Sequence, residues 1–356
     1  MKKRILALIM VTLFLNLTAC NNSNGKISSV YEISLSSDYD NSNEKSLSFF
    51  AMDTYMNFKA YGENAKTAVN EASALVEDLE NKLSVTNPES EISKINSSAN
   101  NAIKISEDTL ALISTALDVN KKSGGAFDIT IYPIVKLWGF TTGKYEVPNK
   151  EEILKNLEYV DSSNITLNEK EGTVTVPKNI EIDLGGIAKG YAGKKAAEKI
   201  RSMGIESALL NLGGNIQTIG SKPDGSAWGV SICNPEDSSK QLCRIEVVDK
   251  AVVTSGGYQR YFEENGKSYH HIIDPKSGYP AENGLLSVTI VDEDGMLCDA
   301  LSTTLFVLGK DKALEYCEKY GIEAILMTDD KKIYVTDGLK ESFSIIDQTS
   351  GYFLAE

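Results

Sequence analysis

The chain has 356 residues, 36 basic and 50 acidic, and a formal net charge of −14. No basic patch stands against that acidic balance, which argues against a nucleic acid partner. A length of 356 residues with 42% hydrophobic and 24% charged side chains exceeds any small stapled module. It suits one large globular domain or two ordinary ones.

The chain opens with a targeting pattern. "MKKR" is positively charged, Ile5 to Leu15 is almost wholly apolar, and "LTAC" ends at Cys20. The apolar run is too short for a standard spanning helix. Its order is similar to a bacterial lipoprotein signal, with residues 1–19 removed and Cys20 lipidated. Residues 20–46 are rich in Ser and Asn and poor in apolar side chains. They read as a tether from that lipid to a domain spanning 47–356, on the extracytoplasmic face of a bacterial cell membrane.

The periodicity of "NAKTAVNEASALVEDLENKL" predicts an amphipathic helix over 64–83, and Ser106 caps a second that stops before Gly124-Gly125. Strand alternation with turn residues appears in "ITLNEKEGTVTV", "SALLNLGGNIQTIG", "RIEVVDKAVVTS" and "YFEENGKSYHHII". "SVTIV" and "AILMTDDKKIYVTD" complete the strands, around a helical stretch from about Met296 to Tyr320. The pattern predicts an α+β fold with a largely antiparallel sheet. No internal repeat divides the chain. Without a CxxC, and with His270 and His271 the only histidines, a Cys/His zinc site is disfavoured. Cys233 and Cys243 are spaced to pair across a hairpin or to sit as inert thiols.

Three segments carry candidate chemistry. In "VTVPKNIEIDLGGIAKGYA" a strand is expected to end at Asp183, followed by two glycines and a helix. Bare N–H groups at a helix start make an anion site; a packing turn is the alternative. In "DALST" Asp299 and Thr303 are four apart on a helix, so two hard oxygens face one side and suit Mg²⁺. Helix capping explains the same pair without a metal. In "HHIIDPKSGYP" a histidine enters turn sequence, where it can act as a general base or simply be a strand residue.

In chain order, "GGAFDIT" with "LWGF", "DLGGIAKGYA", "LLNLGGNI", "TSGGYQRYF", "HIIDPKSGYP" and "DALSTTLFVLG" closely resemble the ApbE family of FAD:protein FMN transferases. The resemblance runs from about Phe49 to the C-terminus. Asp53 stands where the family usually has glycine, and Thr86 where some members carry a tyrosine against the flavin. The resemblance implies a single tunnelling-fold-like domain with paired helices. It implies FAD as substrate, Mg²⁺, and transfer of FMN to a Ser or Thr hydroxyl of a target flavoprotein with release of AMP. The implied metal ligands are the Gly186 carbonyl with the side chains of Asp299 and Thr303. The flavin nucleotide is implied to lie against Met52, Thr86, Ala126, Phe127, Asp128, Asp183, Lys189, His271 and Ile272. His271 is the expected base, with an ordinary pKa near ~6.5, and Asp183 the second choice. An FAD pyrophosphatase and a non-catalytic flavin-binding lipoprotein are the competing readings. No acceptor-like stretch occurs in the chain, so the acceptor is expected to be another protein.

Overall fold

A computed structural model of the chain describes residues 43–355. The expected signal, Cys20 and nearly all of the tether lie outside those residues. Nine strands form one sheet, in spatial order 44–51, 54–61, 207–212, 215–219, 251–256, 285–292, 324–328, 332–335 and 353–354. Every neighbouring pair is antiparallel except the last, which is parallel. Helices α1 (Ala65–Leu83), α2 (Glu91–Ser97), α3 (Glu107–Ser123), α4 (Tyr132–Leu137), α5 (Lys150–Leu157), α6 (Ala188–Ser202), α7 (Gly295–Leu308) and α8 (Lys310–Tyr320) complete the body. Among the described residues no helix is long and apolar enough to cross a membrane.

Both faces of the sheet are buried, and strand alternation divides the side chains between them. Ala208, Leu210, Leu212, Val288 and Ile290 join the main core beneath α1, α6 and α7. Leu209, Ile216, Val252, Val291 and Ile325 point the other way. There they pack on a three-stranded sheet made by Trp228–Asn234, Asp237–Val247 and Phe343–Ile345. Asp108 at the start of α3 accepts from Lys82 Nζ at 2.6 Å and Tyr191 OH at 2.7 Å, joining α3 to α1 and α6. A third apolar cluster gathers Trp138, Phe140, Ile153, Phe262 and Ile273. Trp138 Nε1 donates to the Gly278 carbonyl at 2.8 Å, which fastens "LWGF" to "DPKSGYP".

The helices over 64–83 and after Ser106 form as expected; the Ser106 hydroxyl accepts from the Thr109 N–H. Three details differ from the sequence expectation, and one open alternative is decided. The first strand starts at Glu44, inside the expected tether, because Glu44 binds Lys59 and Tyr61 OH on the next strand. The stretch 296–320 is two helices, broken at Gly309, whose φ of 76° no right-handed helix accommodates. The strand expected to reach Asp183 ends at Thr175. Beyond it the Asn96 amide bonds both the N–H and the C=O of Ile182, at 2.8 and 2.9 Å, in place of a neighbouring strand. Cys233 and Cys243 are buried thiols without a bridge; burial pushes Cys233 up to about 11 and Cys243 further still.

The turn after the first strand has a backbone that favours glycine at position 53. Ala51 faces Thr54, and the two central residues, Met52 and Asp53, have φ of 49° and 59°. That is a two-residue hairpin loop of the type that needs left-handed backbone twice, which Asp tolerates better than most residues.

Helices α6 and α7 cross with their backbones in contact. A Cβ at Gly190 would lie 2.0 Å from the Gly295 carbonyl oxygen and 2.6 Å from Asp299 Cβ. No rotamer relieves a clash with backbone. Gly190→Ala is therefore expected to force the helices apart and cost about 1–3 kcal/mol, measurable as a lower denaturant midpoint with the slope unchanged.

Candidate active site

The site forms where several chain reversals meet. Met56 pairs Leu212, and the strand 251–256 runs out past the turn at Gly213-Gly214 to Gly256. The Met52-Asp53 turn, the 213–214 turn and the loop after Gly256 thus share one end of the sheet. Helix α6 starts at this end, since a Cβ on Gly193, in its second turn, would meet Leu212. Helix α1 begins beside the other end of α6, where Asn64 Nδ2 reaches the Met203 carbonyl at 3.2 Å. Thr86, just past the end of α1, therefore lies at the site end. It is exposed and bonded to Ser84 Oγ.

The α6–α7 crossing brings together the residues expected to hold a cation. Asp299 is buried, and its Oδ2 accepts from the Gly190 N–H at 2.8 Å. Gly190 is in the first turn of α6, where N–H groups have no helical partner, so the carboxylate caps it. Tyr191 and Ala188 do bond four residues back, to Ile187 and Leu184. Among the described residues no N–H reaches the Gly186 carbonyl. Gly186 precedes the N-cap Ile187, so its carbonyl lies outside the helical ladder. A Cβ at Gly186 would lie 4.0 Å from Thr303 Oγ1 and 3.0 Å from the Phe127 ring, so hydroxyl and ring both approach this glycine. Among the described residues no three His, Cys, Asp or Glu side chains gather as a metal centre. The set at Gly186 is of another kind, with one carboxylate, one hydroxyl and one carbonyl, all hard oxygens.

Asp183, Lys189, Arg260 and His271 form the charged part of the site. The Asp183 N–H donates to Ile129 O, and its Oδ1 accepts from Gly185 N–H at 2.9 Å. Burial holds its carboxyl above the usual carboxylate range, against the opposing pull of that N–H and the charges of Lys189 and Arg260. Burial, then His270, Arg260 and Lys189, push His271 down to about 3. The expected ordering of bases is thus altered: His271 is a far weaker base than a free histidine, and Asp183 a stronger one than a free aspartate.

Geometry fixes the tautomer of His271. Its Nδ1 lies 3.1 Å from the Arg260 carbonyl oxygen, which can only accept, so Nδ1 carries the proton. In the neutral ring Nε2 then keeps the lone pair. The Arg260 guanidinium donates to the Phe140 carbonyl, and the Phe140 ring meets His271 edge-on at 6.3 Å. The apolar Trp138 cluster is what holds this histidine in place.

Asp128 and Ile272 have side chains tied into the surrounding structure. Asp128 is buried and accepts from Thr130 N–H, Thr130 Oγ1, Asn120 Nδ2, Ser162 N–H and Ser162 Oγ. Its carboxylate organises the turn that presents Ala126 and Phe127. Ile272 places its side chain in the main core. Arg260 and Ser255 stood inside "TSGGYQRYF" without an assigned role, because nothing local shows that they face His271 and α7.

Comparison with known proteins gives a consistent answer. Residues 52–326 match the ApbE family. The FAD:protein FMN transferase of Haemophilus influenzae is 33% identical over 350 residues, covering 94% of this chain and 96% of that protein. The FAD:protein FMN transferase of Klebsiella pneumoniae is 34% identical, covering 78% and 87%. Among solved structures, the ApbE protein of Thermotoga maritima superposes with a TM-score of 0.79 at 33% identity, over 84% of this chain and 99% of its own. The flavin transferase ApbE of Vibrio cholerae gives 0.77 at 30% identity, over the same shares. With the family matched across most of its length and the same fold in solved members, the chain belongs to the ApbE family.

Proposed function

We propose that this chain is an FAD:protein FMN transferase. The observation that carries the site assignment is the Asp299 carboxylate on the Gly190 N–H, with Thr303 Oγ1 on the same helix close to Gly186 at the start of α6. The Asp299 carboxylate, the Thr303 hydroxyl and the Gly186 carbonyl fit Mg²⁺, which favours oxygen ligands and retains open positions for phosphate and water. When bound, the ion supplies charge neutralisation on the pyrophosphate oxygens.

The protein's own groups do the rest. Lys189 and Arg260 add positive charge where the pyrophosphate enters, and the N–H groups at the start of α6 face anionic oxygen. The acceptor hydroxyl forms a new P–O bond at the FMN phosphorus. The bond from that phosphorus to the bridging oxygen breaks, and AMP departs with the oxygen. The hydroxyl proton passes to Asp183 or to His271 Nε2, both neighbours of the same two cations. Water in place of the acceptor would give free FMN, but water is not held in line by a docked protein chain.

The lipidated Cys20 and its tether place this site at the outer face of a bacterial cell membrane, beside membrane-associated flavoprotein acceptors. The charged n-region, apolar run and "LTAC" order support this reading. Cys20→Ala is expected to abolish the diacylglycerol mass and leave a precursor or a soluble chain. Membrane fractionation with intact-mass spectrometry checks it.

Acceptor protein is expected to accelerate AMP release and to gain the mass of FMN on a Ser or Thr, while Asp299→Ala loses at least about 100-fold in rate and keeps its fold. Equal AMP release with and without acceptor, with all FMN free in solution, would establish the pyrophosphatase instead.

The His271 shift also sets a stability signature. The folded protein resists protonating His271, whereas the unfolded chain takes up that proton near pH ~6.5. Between that value and about 3 the unfolded state binds more protons, so stability falls as pH falls. His271→Ala is expected to flatten this slope in urea midpoints measured from pH 7 to 4.

A further inference from the structure

Ser255 lies on the strand 251–256 and faces α7. Its Oγ is 2.8 Å from Ser302 Oγ and 3.4 Å from Thr303 Oγ1. Each hydroxyl has one proton to give and two lone pairs to offer. Ser302 gives its proton to the Asp299 carbonyl at 2.9 Å, an oxygen that can only accept. Towards Ser255, therefore, Ser302 accepts, and the Ser255 proton goes to it. Towards Thr303, Ser255 then has only a lone pair left, so the Thr303 proton points back at Ser255. The polarity of the whole chain follows from one helix carbonyl: Thr303 to Ser255, Ser255 to Ser302, Ser302 to Asp299. Its consequence is at the free end. With its proton turned inward, Thr303 Oγ1 directs its lone pairs outward, towards the Gly186 side that it faces.

We propose that Ser255 is a positioning residue for cation binding, fixing the hydroxyl polarity that makes Thr303 an oxygen donor. The proposal rests on the assignment of Asp299, Thr303 and the Gly186 carbonyl as the magnesium set. Without this chain, Thr303 would be free to turn its proton towards the ion or to its own helix carbonyls, as Thr304 does to Ala300 at 2.7 Å. Hydroxyls and carboxylates that orient metal ligands typically change affinity by about 10–100-fold when removed. Both Ser255 and Ser302 are small and lie between a strand and a helix already packed, so truncation to alanine removes one oxygen from each.

The test is direct binding of Mn²⁺, followed by its paramagnetic resonance signal, and of Mg²⁺ by calorimetry, on the full folded domain without FAD. Circular dichroism confirms the fold of each variant. Asp299→Ala is expected to abolish binding. Ser255→Ala and Ser302→Ala are each expected to weaken it at least about tenfold, since either breaks the relay. A Ser255→Ala affinity within about threefold of the parent, alongside loss of binding in Asp299→Ala, overturns the role of Ser255. Loss in Ser255→Ala with an unchanged Ser302→Ala also overturns the relay, by making Ser255 a ligand in its own right. Unchanged affinity in Asp299→Ala overturns the underlying metal assignment instead, so the two failures are distinguishable.

Discussion

Helices α6 and α7 touch backbone to backbone at Gly190 and Gly295, and the arrangement of the site depends on this contact. Any side chain at Gly190 would open the crossing. Only at this distance does the Asp299 carboxylate reach the Gly190 N–H, a helix-start donor with no partner in its own helix. One hydrogen bond from a facing helix thus caps the first turn of α6. The carboxylate is buried, where an unsatisfied oxygen is costly, and the N–H satisfies one of its oxygens.

The other half of the site is set by burial of charge. Asp183 is raised and His271 lowered by the same cause, desolvation, because burial disfavours whichever form is charged. Lys189 and Arg260 bear on both. Their positive charge is disfavoured next to a protonated histidine and favoured next to a carboxylate or a pyrophosphate. For His271 that charge adds to the larger effect of burial. The apolar cluster around Trp138 holds Arg260 and His271 through the Phe140 carbonyl and ring, so aromatic packing far from the cation set still governs where the imidazole stands.

Much of this was legible in the residues. The amphipathic helix over 64–83, the Ser106 cap and the hairpins at Gly213-Gly214 and Asn265-Gly266 are local phenomena, fixed by side-chain period and turn chemistry. The long ordered motifs identified the family, and with it Asp299, Thr303 and the glycine pair. Misjudged were features in which a distant partner replaces a local one. The segment ending at Asp183 has strand-like alternation, yet Asn96 supplies its hydrogen bonds.

The sequence by itself determined the α+β class, the order of its elements and the residues that can supply oxygen, charge and a proton acceptor. These depend on period, composition and spacing, which act over a few residues. Only the tertiary structure decided that Gly190 gives its N–H to Asp299, that the Arg260 carbonyl selects the His271 tautomer, and that Ser255 faces Thr303. Each of these joins residues between 11 and 109 positions apart. No local pattern encodes such a meeting, because it is set by how closely two packed elements can approach.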